Sequence, residues 1–345
     1  MSLHEEIREQ PAVLERLLAT QGPAVREVAR AIGRHGIHWV MVAARGTSDN
    51  AALYSQYVWG GRNQLPVAMA TPSLFTHYGT PPRLTGALVV GVSQSGQSPD
   101  IVSVLAEARR QGAPTLAITN DPGSSLAKEA TWVIETCAGP ELAIAATKTY
   151  TTQLVAIALL SAALRGEEGD NAALQGVPAA VEAALGLDAA IAEAAPRYRA
   201  MARCVVLGRG FHYATACEWA LKLEELTYVV AEPYSTADFR HGPLAVVSSG
   251  FPILAAVPGG AVYADVLALL SAVVSERGAD LVAISDQEGA LALARTPLRL
   301  AATLPEWLAP IASIVPAQLF CYHLARAMGR DTEAPRGLTK VTKTW

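Results

Sequence analysis

At 345 residues the chain exceeds the usual size of a single hydrophobic core, so two domains are the expectation. Hydrophobic residues make up 51% and charged residues 17%, which excludes a disordered or fibrous chain. A formal net charge of -4 with no basic stretch leaves no electrostatic footprint for nucleic acid.

The first 35 residues read as an amphipathic helical segment with a break at Gln21-Gly22-Pro23. Acid at Glu5 and Glu6 stands where a signal peptide carries positive charge. Strand-like apolar runs follow near 38–43, 67–70, 87–92, 114–118 and 132–134, alternating with helical segments. Residues 154–164 are the longest apolar run; Ser161 interrupts them, and they are too short to span a bilayer. Residues 166–171 read as a polar loop, and an Ala-rich helix continues to 196. A second set of strand runs follows near 203–207, 252–257, 280–284 and 298–300. Such alternation predicts an α/β chain with mostly parallel sheets covered on both faces. Cys137, Cys204, Cys217 and Cys321 have neither CxxC nor metal-ligand spacing and read as small apolar fillers in a reducing, cytoplasmic setting.

The halves repeat each other. Val42-Ala43-Ala44-Arg45-Gly46 returns as Val206-Leu207-Gly208-Arg209-Gly210, and residues 110–119 return as 276–285 in the same order. A duplicated domain is therefore expected, with 1–35 leading, 36–165 and 197–330 as the two copies, 166–196 joining them and 331–345 as a tail.

The chemistry-bearing residues are unevenly shared between the copies. Ser93-Gln94-Ser95-Gly96-Gln97-Ser98 lies between a buried strand and a helix opening at Pro99. Hydroxyls and backbone N–H groups there can converge on one phosphate; the same residues also suit an ordinary polar turn with a serine cap. Arg45-Gly46-Thr47-Ser48 makes a second such loop, or simply caps its helix. Residues 145–150 can close a pocket wall, and 119–124 read as a turn and cap. The second copy has Val257-Pro258-Gly259-Gly260 in place of the hydroxyls, so one phosphate site per chain is expected. In that copy Glu218, Lys222 and Glu225 share one helix face, either a solvated salt-bridged stripe or part of a site. An unusual loop, 232–243, carries His241 between Arg240 and Gly242-Pro243, a good setting for acid–base work. The 335–343 tail has no helical period; it either frays or lies across a cleft, bringing Lys340.

Eight of these segments, in order and over nearly the whole chain, resemble the sugar isomerase (SIS) domain family. They are 44–48, 93–98, 119–124, 138–153, 207–210, 220–228, 239–244 and 335–340. The likeness is to the isomerase half of glutamine–fructose-6-phosphate aminotransferases and to stand-alone deaminase-type proteins with two SIS domains. The resemblance implies two tandem three-layer α/β/α sandwiches plus an extended tail over the active site. It implies that Ser93, Gln94, Ser95 and Ser98 bind a sugar phosphate, with Thr47, Ser48, Ala145 and Thr339 also against the substrate. It assigns Glu225 to proton transfer between C1 and C2, Lys222 to its electrostatic support, and His241 to ring opening from across a homodimer interface. Lys340 would engage the substrate carbonyl.

No metal, cofactor, nucleic acid or membrane is implied. Gln97-Ser98 in place of Glu-Thr, Ala146 in place of serine, and Glu224 in place of lysine depart from the family pattern. Ala146 bears on which sugar is bound. Residues for a glutaminase domain, with its early cysteine, are not expected here. The implied activity is a phosphosugar isomerase or deaminase working on an amino-sugar 6-phosphate such as glucosamine-6-phosphate. Deglycation of a fructosamine phosphate, plain aldose–ketose isomerisation, a subunit for a separate glutaminase, and a non-catalytic sugar-phosphate sensor are the alternatives.

Overall fold

The computed structural model describes residues 2–340, Thr342 and Thr344; the expected tail residues Val341, Lys343 and Trp345 lie outside the described residues. The chain divides into two compact units. One comprises 12–141, 148–175 and the tail from Thr339; the other comprises residues up to Pro11, 142–147 and 176–338. They are described separately.

The chain opens with α1 (Leu3–Arg8) and α2 (Gln10–Gly33). Ser2 and Glu5 close a reciprocal capping box on α1, and the break between the helices falls at Glu9. The expected break at 21–23 is not there: α2 runs through Pro23. Its buried positions Val13, Leu14, Leu17, Leu18, Val25, Ala29 and Ile32 keep helical spacing across the proline. Burial of that stripe outweighs the roughly 3 kcal/mol that an interior proline costs.

The first sheet contains β1 (Trp39–Ala43), β2 (Val67–Met69), β3 (Ala87–Ser93), β4 (Thr115–Thr119) and β5 (Trp132–Glu135). All pairs are parallel, in the order β2-β1-β3-β4-β5. Its connections carry α3 (Thr47–Asn63), α4 (Ser73–Thr76), α5 (Pro99–Arg110) and α6 (Ser125–Glu129), and α7 (Lys148–Arg165) follows. Met41, Val89 and Ala117 meet Ile101, Val104 and Leu105 of α5 in one core. Helices α3 and α7 pack together, with Trp59 Nε1 donating to Ile157 O at 3.1 Å.

The segment expected as loop and single helix is three helices: α8 (Glu168–Gln175), α9 (Val177–Leu185) and α10 (Asp188–Ala194). Glu168 and Asp170 suit the first turn of α8, where the helix dipole favours acid. The segment is also less of a linker than expected. Helix α8 packs on α7, while α9 and α10 pack on α15 (Ala309–Ala327), so each end belongs to a compact unit.

The second sheet holds β6 (Arg203–Gly208), β7 (Val230–Ser235), β8 (Pro252–Ala256), β9 (Asp280–Ser285) and β10 (Thr296–Arg299). Its order, β7-β6-β8-β9-β10, repeats that of the first sheet strand for strand. Helices α11 (His212–Thr227), α12 (Thr236–Phe239), α13 (Tyr263–Arg277) and α14 (Glu288–Leu293) connect its strands. Part of the expected 232–243 loop is therefore strand β7 and helix α12. Strand β7 pairs only with β6 and stands at the sheet edge, where Pro233 removes no ladder hydrogen bond from a second neighbour. Among the described residues no helix is long and apolar enough to cross a membrane.

Candidate active site

In both sheets the order reverses beside the first strand of the copy, between β1 and β3 or between β6 and β8. Loops leaving the carboxyl ends of those strands frame the usual ligand crevice of an open parallel sheet.

In the first unit the loop after β3 is pinned from several sides. Ser93 Oγ accepts from Gly96 N at 3.1 Å, and Ser95 Oγ accepts from Gln97 N at 3.3 Å. Asn120 N donates to Gln94 O at 3.1 Å, and Leu126 N donates to Gly96 O at 3.0 Å. Gly96 has φ +60°, and a β-carbon there would stand 2.2 Å from Ser124 Oγ. Ser98 takes the N-cap of α5 with Pro99 at the first turn, yet spends no hydroxyl hydrogen bond on the cap. Ser124 does cap α6, accepting from Ala127 N, so 119–124 is the expected turn and cap.

The loop after β1 meets the same edge. Gly46, at φ +56° and ψ -131°, is the N-cap of α3, so Thr47 and Ser48 are not its caps. Ser48 is buried, and its Oγ accepts from Gln153 Nε2 at 2.9 Å; Thr47 is half-buried. Arg45 Nε reaches Asp100 Oδ2 at 2.8 Å, tying this loop to the start of α5 through a carboxylate with no exposed surface. Ser93 is buried and Gln94, Ser95 and Ser98 are half-buried. Two helix N-termini and four serine hydroxyls thus lie on the two loops of one switch point.

Lys340 belongs to this unit through a partner absent from the candidate residues above. Its Nζ lies 2.8 Å from Oε2 of Glu141, whose side chain is fully buried. Glu141 also accepts from Thr149 N at 3.1 Å and Thr149 Oγ1 at 2.7 Å. These three donors satisfy a carboxylate that would otherwise be costly to bury. Thr339 is exposed.

In the second unit the Glu218-Lys222-Glu225 stripe is not a solvated face. Glu218 and Lys222 are 0% and 1% exposed, and only Glu225, at 21%, reaches solvent. Lys222 Nζ is 3.5 Å from Glu218 Oε1 and in direct contact with Glu225 Oε2. A buried ammonium is thus held between two carboxylates, one of which faces outward. His241 follows α12 and is exposed, its backbone N–H donating to Asp238 O at 2.9 Å. Beside it, Arg240 is anchored to Asp265 of α13, at 3.3 Å to Oδ1 and 3.0 Å to the backbone carbonyl. No hydrogen bond joins His241 to Glu225 among the described residues. Ala145 is fully buried and Ala146 half-buried, in a segment braced by Glu6, which accepts from Leu142 N at 2.5 Å and Ala143 N at 3.2 Å.

The counterpart of the serine loop lies after β8, and its N–H groups meet carboxylates of the protein itself. Gly259 N donates to Asp286 Oδ1 at 2.7 Å, and Ala261 N donates to Glu306 Oε2 at 3.0 Å. A β-carbon on Gly260 would stand 2.2 Å from Glu306 Cδ.

Comparison with known proteins matches the SIS domain model twice, over residues 37–163 and 198–328. The glutamine–fructose-6-phosphate aminotransferase (isomerizing) of a Thermus thermophilus strain is 34% identical over 350 residues. That match covers 97% of this chain and 58% of the aminotransferase, so the chain spans a little over half the relative's length. The C-terminal domain of glucosamine-fructose-6-phosphate aminotransferase from Francisella tularensis superposes with a TM-score of 0.87 at 29% identity, covering 96% of this chain and 98% of that one. A candidate phosphosugar isomerase from Silicibacter pomeroyi DSS-3 superposes with a TM-score of 0.84 at 34% identity, covering 96% and 100%.

Proposed function

This chain belongs to the SIS domain family, and from that premise we propose that it is a phosphosugar isomerase or deaminase acting on an amino-sugar 6-phosphate such as glucosamine-6-phosphate. The observation that carries the reading is the Glu218-Lys222-Glu225 array. A carboxylate with one face toward solvent and a buried ammonium behind it suits a proton shuttle. A non-catalytic sensor needs only the serine loop and has no use for that array.

In this reading the Ser93, Gln94, Ser95 and Ser98 loop holds the phosphate, with Thr47 and Ser48 beside it. His241, contributed across a homodimer interface, opens the sugar ring. Glu225 takes the C2 proton of the open-chain amino aldose and returns it to C1, leaving an imine at C2. Water adds to C2 and ammonia departs, so one water is consumed for each ammonia released, and fructose-6-phosphate is the product. Lys340, oriented by Glu141, donates to the oxygen or nitrogen that gathers charge in the transition state. The reaction draws on no metal. The buried, unpaired thiols of Cys204 and Cys321 suit a reducing, cytoplasmic compartment.

The test is to incubate the purified protein with glucosamine-6-phosphate and measure ammonia and fructose-6-phosphate. Turnover in the native chain and its loss in Glu225→Gln are expected. Turnover unchanged in Glu225→Gln overturns the mechanism. Tight binding without turnover, abolished by Ser93→Ala and Ser95→Ala, replaces it with a sensor.

A further inference from the structure

Away from that site, three side chains from distant parts of the sequence converge in the second unit. Asp188, the first residue of α10, receives His4 of α1 at 2.9 Å (Nε2 to Oδ2) and His323 of α15 at 2.6 Å (Nε2 to Oδ1). The three ligand atoms all lie within 4.8 Å of one another, and each residue is partly buried. Two imidazoles and a carboxylate are the donor set that zinc and neighbouring first-row metals favour.

The rings are held in place. His4 stacks on Tyr322 with centroids 4.8 Å apart and planes 13° from parallel, and His323 meets the same ring edge-on at 5.0 Å. Tyr322 in turn accepts a hydrogen bond from Arg326 Nη1 at 3.2 Å. Neither Nδ1 has a hydrogen-bond partner among the described residues. Each ring can therefore carry its proton on Nδ1 and offer the Nε2 lone pair inward. The charge working against a cation is Arg8, with Nη1 3.4 Å from Asp188 Oδ2; at 56% exposure it is free to swing into solvent.

We propose that His4, Asp188 and His323 form a binding site for one divalent transition-metal ion of the zinc type, pinning α1 to α10 and α15. The role is structural. Helix α1 carries Glu6, the brace of the 142–147 segment, so the ion stiffens a segment that leads into the candidate site. Closure requires the donor atoms to contract to about 2.0–2.2 Å from the metal, with water completing the shell.

The test uses metal-stripped full-length protein titrated with zinc chloride in a calorimeter, and separately with cobalt chloride followed by visible absorption. Expected are one ion per chain, a chelator-reversible rise in melting temperature, and a tetrahedral cobalt spectrum. His4→Ala and His323→Ala should each weaken zinc binding at least tenfold, with circular dichroism unchanged, while His35→Ala should leave it intact. Undiminished zinc binding in the His4→Ala/His323→Ala double variant overturns the proposal. So does an absence of zinc binding to the native chain, which would leave the cluster a hydrogen-bonded latch between α1, α10 and α15.

Discussion

Gly96 and His212 show how single positions constrain this protein in opposite ways. Gly96 occupies a left-handed backbone conformation and leaves no room for a β-carbon against Ser124. Gly96→Ala is expected to cost on the order of 2 kcal/mol in urea unfolding and to abolish phosphosugar binding. His212 is fully buried, and desolvation pushes its pKa down to about 4, with Asp286 pulling weakly the other way. Its folded pKa lies below the unfolded value near 6.5, so the unfolded chain binds the extra proton. Stability should therefore fall as pH drops from about 6.5 to 4, by on the order of 3 kcal/mol in all. His212→Phe should flatten that part of the stability–pH profile. The serines of the 93–98 loop were legible because strand, hydroxyls and helix start are neighbours in sequence. Glu141 was not, because its partner Lys340 is nearly two hundred residues away and only folding pairs them. The same distance hid the cluster of His4, Asp188 and His323 from any spacing rule.

At the scale of elements, α11 turns a stripe of alternating charge into a buried network. Its periodicity was plain in the sequence, but its burial was not, since the same i, i+3, i+4 pattern serves solvated helices. What decides is α15, whose apolar face covers α11. Lys222→Met should remove the buried ammonium held between Glu218 and Glu225 and lower stability by about 3–5 kcal/mol. Adding Glu218→Gln should restore much of that loss without restoring activity, a double-mutant cycle readable by denaturant titration. Strand β7 was hidden for a related reason. Pro233 and its polar neighbours read as a loop, and only its place at the sheet edge makes proline acceptable there. Helix α2 hid its continuity likewise, since local rules stop at Pro23 whereas the buried stripe does not.

For the whole molecule, the shared strand order of the two sheets confirms the duplication that two short sequence matches had signalled. The copies part company at the loops after β3 and β8. Calorimetric titration with a sugar phosphate is accordingly expected to saturate at one molecule per chain, and two equivalent sites would overturn the division of labour. The second loop's donors are already engaged by Asp286 and Glu306. That copy has, in effect, internalised its own counter-anion and is always in the equivalent of a liganded state. Its amide protons at Gly259 and Ala261 should exchange slowly with deuterium whether or not substrate is present, whereas in the 93–98 loop, whose Gly96 and Gln97 amides are held by the loop's own serine hydroxyls, exchange should slow further when a phosphate arrives. A duplicated fold is thereby expected to hold one lobe that responds to ligand and one that is permanently set.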